Sequence, residues 1–132
     1  MADFLIKRAQ KLSHHEDTLK EIERRSHIRY RTFAKVKFRG IMEQESLLKD
    51  ISITGCCVEC TSLADIQVNS SYTLEIIPEV SSKISHFNLE VKAVWINVTG
   101  YSGDVGFVIT ASPRGKLFQR YVDYLSWKES YH

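Results

Sequence analysis

The chain has 132 residues, 43 % of them hydrophobic and 26 % charged, with a formal net charge of +2. That length and composition suit one packed domain with a modest core and exclude a disordered chain. The charge is too small for the broad basic face that grips a long nucleic acid, which leaves room for a local site taking a compact anion.

The N-terminal stretch holds only Phe4-Leu5-Ile6 before charge returns, too short for the apolar core of a signal peptide. No apolar run approaches the ~20 residues of a membrane span, so no membrane insertion is expected. Residues 1–21 read as a helical extension. Leu5, Leu12 and Leu19 recur every seven residues and Ile22 follows three further on. Ser13 and Glu16 have capping-box spacing. Arg8 and His15 fall where a second apolar stripe would run, so the segment is a polar extension rather than a full coiled-coil seam. His14-His15-Glu16 is no chelating set, because helical neighbours diverge around the axis.

The stretch EIERRSHIRYRTFAK, residues 21–35, then gathers Arg24, Arg25, His27, Arg29 and Arg31 at the threshold of the first strand pattern. From Thr32 the period changes to two: Ala34, Val36 and Phe38 alternate with Lys35, Lys37 and Arg39, and Gly40 ends the run. Further strands are expected at Met42–Leu48, Ile51–Cys60, Ser71–Ile77, Phe87–Val98 and Asp104–Thr110, with turns at Pro78, Ser81-Ser82 and Gly100. Short antiparallel strands at this spacing indicate a small barrel or sandwich. Ser112-Pro113 reads as an N-cap followed by proline at the first helical position. Leu117, Phe118, Tyr121, Val122 and Leu125 then share one helical face, which should pack on the sheet or across a barrel mouth.

The three cysteines lie within five residues, an odd count that fits a reducing cytoplasm better than a disulfide framework. Cys57 and Cys60, three apart on a strand, face opposite sides and stand ~10 Å apart, beyond disulfide reach. Cys56, Val58 and Cys60 are expected to share the buried face. Trp95 and Trp127 read as core and helix-packing residues. No nucleophile–base pair, phosphate-cradling glycine loop or metal-ligand set is recognisable, so no enzyme and no cofactor are expected.

Two constellations carry chemistry. Arg25-x-x-x-Arg29, with Arg24 before it, offers planar forks that match phosphate oxygens and the O6/N7 edge of guanine. Alone, it reads first as a solvated basic linker, as most short arginine runs are. Asp50-x-Ser52-x-x-Gly55 places a carboxylate and a hydroxyl on one face if Asp50 to Ser52 is extended. The carboxylate would accept from guanine N1–H and N2–H, the hydroxyl would reach a phosphate, and the glycine would allow close approach. Alone, it reads first as a turn between strands.

Taken in order, Arg-x-x-x-Arg followed by Asp-x-Ser-x-x-Gly resembles the signature of the PilZ domain, a bacterial receptor module for cyclic di-GMP. Gly106-Phe107-Val108-Ile109 resembles the closing strand of that family, and the helix after Pro113 stands where the family places its last helix. The resemblance implies a mainly β fold, a six-stranded antiparallel β-barrel with a C-terminal α-helix, over residues 22–132, following the N-terminal helical extension. It implies a cytoplasmic receptor whose ligand, cyclic di-GMP, is held by Arg24, Arg25, Arg29, Asp50, Ser52 and Gly55. The arginine segment would be a flexible lead-in that orders over the ligand and signals to a protein partner, with no nucleic acid involved. The alternative is a nucleotide-independent interaction module on the same barrel. An oligonucleotide-binding barrel would interleave aromatics with basics on one face, whereas the Ala34–Phe38 strand sets lysines against apolar residues.

Arg24 directly before the signature is implied to contact a second, stacked ligand molecule. Calorimetric titration should therefore give two cyclic di-GMP molecules per chain and one in Arg24→Leu, with binding retained.

Overall fold

The computed structural model describes residues 28–41, 45–111 and 116–130. The helical extension expected over residues 1–21, Arg24 and Arg25 in the lead-in, and the Ser112-Pro113 cap lie outside the described residues. Strand β1 is Tyr30–Arg31, β2 Lys35–Phe38, β3 Ser46–Ile51, β4 Gly55–Cys60, β5 Ser71–Ile77, β6 Phe87–Thr99 and β7 Ser102–Ala111. A single turn of 3₁₀ helix spans Val80–Ser82, and helix α1 spans Leu117–Ser130.

All strand pairings are antiparallel, and six strands close into a barrel in the order β2-β5-β6-β7-β4-β3, with β3 returning to β2. The expected six-stranded barrel with a C-terminal helix is therefore present. β1 is a further short strand that pairs with the end of β3, Tyr30 opposite Ile51 and Arg31 opposite Asp50. Between β1 and β2 the chain stays on the same edge of β3. Thr32 N–H donates to Lys49 O at 3.2 Å, and Leu48 N–H donates to Ala34 O at 3.0 Å. Phe33 is turned outward there and is 74 % exposed.

Alternation, shifted by one residue at the bulge in β3, builds the interior. Ala34, Val36 and Phe38, then Leu48 and Ile51, then Cys56, Val58 and Cys60 face inward. Leu74 and Ile76, Phe87, Leu89, Val91 and Ala93, then Val105 and Phe107 complete the ring, and all belong to one cluster. α1 joins that cluster through Phe118, Tyr121, Val122 and Leu125. The Phe118 and Tyr121 rings each stand 6.0 Å from the ring of Phe87. The β6–β7 hairpin turns at Gly100-Tyr101, where Gly100 takes a φ of 69°.

Two strand limits differ from expectation. The chain does not run extended from Ile51 to Cys60, because Ser52–Thr54 forms a tight turn and Ile51 belongs to β3. Ser52 N–H donates to Gly55 O at 2.8 Å to close it. The strand expected at Met42–Leu48 is instead Ser46–Ile51 within the described residues.

All three cysteines are buried thiols, and Cys56, Val58 and Cys60 share the inner face as expected. Burial pushes Cys56 up to about 12 and Cys57 and Cys60 up to about 11. Tyr121 is raised too, by burial and then by its bond to Glu79. A raised folded-state value means that the neutral form is favoured in the fold. The stability this contributes is complete below the unfolded thiol value of 9.0 and is lost as pH rises through the folded values. Urea midpoints should thus be insensitive to these groups below pH ~9 and fall steadily between pH ~9 and ~12. A midpoint that holds through that range would contradict the burial of the thiols.

Candidate functional site

The turn between β3 and β4 is built by one hydroxyl. Ser52 Oγ accepts from the backbone N–H groups of Thr54 and Gly55 at 3.2 and 3.1 Å. It also lies 3.3 Å from Gly55 O, to which it donates. The side chain is 1 % exposed. Ser52 therefore does not share an outward face with Asp50, as an extended chain would require. It sits inside the turn and fixes the path of the residues around it.

That turn brings Gly55 beneath Arg29. A Cβ placed on Gly55 would stand 2.6 Å from Phe107 O, so glycine is required by the close approach of β7, and it would meet an Arg29 terminal nitrogen at 3.5 Å, an ordinary contact. Arg29 Nη1 donates to Asp50 Oδ1 at 2.5 Å. The two side chains are 48 % and 32 % exposed. A half-exposed pair of this kind adds little to stability. Its effect is to hold a guanidinium fork in place while leaving further donors open to solvent. Of the residues predicted from sequence, Arg29, Asp50 and Gly55 thus meet at one point, and Ser52 supports them from below.

A row of paired residues extends from this point across the outer surface. Arg31 lies opposite Asp50, Asp50 opposite Cys57, Cys57 opposite Gly106, and Gly106 opposite Trp95. The row crosses from β3 through β4 and β7 to β6, about 14 Å at ~4.8 Å per strand. Its middle is low, because Cys57 and Gly106 are small. Each end is marked by a register shift, between Leu48 and Asp50 in β3 and between Ala93 and Trp95 in β6. Such bulges re-aim side chains. Here they turn Asp50 and Trp95 outward. Lys49 is turned outward as well, and its Nζ reaches Asp104 Oδ2 at 2.8 Å. That hydrogen bond, and the Asp104 charge, raise the Lys49 ammonium above its ordinary value.

Trp95 corrects an expectation. It is not a core residue: it is 45 % exposed on the outer face. Its indole lies directly over Gly106, where an added Cβ would come within 2.1 Å of the ring. Trp127, on α1, is 55 % exposed and packs against Tyr124 with ring centres 6.2 Å apart. The site therefore offers a guanidinium fork, a carboxylate acceptor, a low floor and a flat aromatic wall. That combination suits an anion carrying a planar base.

The PilZ domain family model matches residues 23–125, a span that includes the arginine segment, the β3–β4 turn and most of α1. The chain belongs to the PilZ domain family. No curated protein matches it at the sequence level. Among solved structures, it is similar to the Bacillus subtilis inhibitor of motility (MotI/DgrA). The identity is 16 %, the TM-score 0.64, and the match covers 82 % of this chain and 52 % of that one. The chain thus spans about half the length of the Bacillus protein. It is also similar to the PilZ domain of Escherichia coli YcgR, solved with c-di-GMP. There the identity is 18 %, the TM-score 0.61, and coverage 82 % of this chain and 95 % of that one. Both likenesses concern the PilZ barrel fold.

Gly106 tests the geometry of the wall. Gly106→Val should displace the indole while the interior stays packed. In a Trp127→Phe background, the remaining tryptophan emission should shift to the red with far-ultraviolet circular dichroism unchanged. An unmoved emission maximum would mean that the indole does not rest on this glycine.

Proposed function

We propose that this PilZ protein is a non-catalytic receptor for cyclic di-GMP. The observation that carries the reading is the Arg29–Asp50 pair held over Gly55. It sets a phosphate-matching fork beside a guanine-edge acceptor at the head of a low outer channel. The ligand bound by the YcgR PilZ domain supports the same chemistry.

Arg29 and Arg25 would bind phosphate oxygens or guanine O6/N7. Asp50 would accept from a guanine N1–H and N2–H, and Gly55 would admit the ligand to van der Waals distance of the backbone. Ser52 would position these groups by closing the turn. Trp95 is added to the set as a stacking wall for a base. The domain is taken to occupy residues 22–132, with residues 1–21 an extension outside it. Ligand binding would order the arginine lead-in from Arg24 to Arg29, and the ordered segment is the signal that a protein partner reads.

The test is titration with cyclic di-GMP, with GMP as control. Wild type should bind the cyclic dinucleotide and bind GMP far more weakly. Arg29→Ala should cost ~1.5–3 kcal/mol, the range of charge-assisted hydrogen bonds, with the fold intact. Trp95→Ala should cost ~1–3 kcal/mol, the range for stacking of a base on an aromatic ring. The loss in Asp50→Ala should persist at high salt better than that in Arg29→Ala, because it reflects hydrogen bonding to a neutral base edge. Equal heat from both ligands, or wild-type affinity in Arg29→Ala, would refute the assignment.

A further inference from the structure

Beyond the Arg31 end of the outer channel, a groove of about 220 Å³ lies between the β1–β2 connection and the last turns of α1. It is lined by Arg31, Phe33, Leu125, Lys128 and Glu129. Its wall is unusual for a free surface: Phe33 is 74 % exposed, although it sits between buried Thr32 and buried Ala34. Lys128 Nζ lies over the Phe33 ring, 5.0 Å from its centre, and 3.9 Å from Glu79 Oε2. The volume exceeds that of a ~150 Å³ apolar cavity able to hold benzene, so it takes one or two branched aliphatic side chains.

The groove stands where the described chain begins. Ile28 is three residues from Arg31, one of the lining residues, and 27 residues precede Ile28. Immediately before the arginine segment comes Leu19-Lys20-Glu21-Ile22-Glu23. Six steps along the chain separate Ile22 from Ile28 and reach up to ~20 Å when extended, more than the ~17 Å that the five steps from Ile28 to Phe33 can span. The charges match as well as the apolar groups. Glu21 and Glu23 are opposite in sign to Arg31 and Lys128, and Lys20 to Glu129.

We propose that the segment Leu19–Glu23 of the same chain docks in this groove, with Leu19 and Ile22 seated against Phe33 and Leu125. Arg24–Ile28 is then a closed loop, fixed by the docked segment at one end and by β1 at the other. A short closed loop has less freedom to lose than a free arm. The arginines are held over the β3–β4 turn at lower entropic cost, whichever anion they take. The docking does not depend on the nucleotide reading, and its test needs no ligand.

The test uses a nitroxide on Ser130→Cys, an exposed position beside the groove. The three native thiols are buried and raised to about 11 to 12, so the label goes to the new cysteine. In the full chain, the amide resonances of Lys20, Glu21 and Glu23 should lose most of their intensity and recover it when the label is reduced. Adding Phe33→Glu, at an exposed position that the fold tolerates, should abolish the loss with circular dichroism unchanged. Adding Leu19→Asp with Ile22→Asp should do the same. Equal intensities with and without Phe33→Glu would overturn the proposal. So would an intensity loss that appears in isotope-labelled chain mixed with a separate nitroxide-bearing chain, which would assign the groove to a second copy.

Discussion

The barrel closes because β3 is hydrogen-bonded along both edges. One edge takes β2 at Ser46–Leu47 and β1 at Asp50–Ile51, and the other takes β4 from Leu47 to Ile51. No open edge remains between β2 and β4. The outer channel depends on this double pairing. Asp50 is held from one side by Arg31 and from the other by Cys57, while the bulge after Leu48 points its carboxylate away from the core. Arg29 then has a fixed anion to meet, and it precedes β1 by a single residue. The site is thus a by-product of closure: the strand that seals the barrel also sets the carboxylate that catches the arginine.

Much of this was legible in the sequence, and the parts that were not have a common physical cause. Inward residues followed period two through Ala34–Phe38, Cys56–Cys60 and Phe87–Ala93, because an antiparallel strand with one face buried has no other pattern open to it. Legibility failed wherever one residue broke the period. Asp50-Ile-Ser-Ile-Thr alternates like a strand, yet Ser52 spends its hydroxyl on the backbone of Thr54 and Gly55 and turns the chain. Trp95 continued the inward count from Phe87 through Ala93 until the bulge at Val94 moved it to the outer face. The signal available for Trp95 was Gly106, a glycine inside a strand, which marks close approach by another group. The signature residues were easier, since their chemistry and order point to a ligand whatever the local backbone does. Of these, Arg24 and Arg25 lie outside the described residues.

The helix is tied to the arginine lead-in through a buried polar link rather than through apolar packing alone. Tyr121 Oη donates to Glu79 Oε1 at 2.6 Å and lies 2.9 Å from Thr32 Oγ1, which itself accepts from Ala34 N–H at 2.7 Å. The other carboxylate oxygen of Glu79 is buried with no hydrogen-bond partner among the described residues and faces Lys128 Nζ at 3.9 Å. A buried polar group is costly once its partner leaves, far more than a methyl contact is when it slides. Thr32 directly follows β1, so β1 cannot shift along β3 without taking Thr32 off Tyr121 and leaving the threonine hydroxyl and the phenol oxygen each short of a partner. Apolar packing at the Phe87 end would tolerate such a shift, whereas this link does not. The position of the arginine segment and the seating of α1 are therefore set together, and Phe33 and Lys128 at the groove lie directly beside the link that joins them.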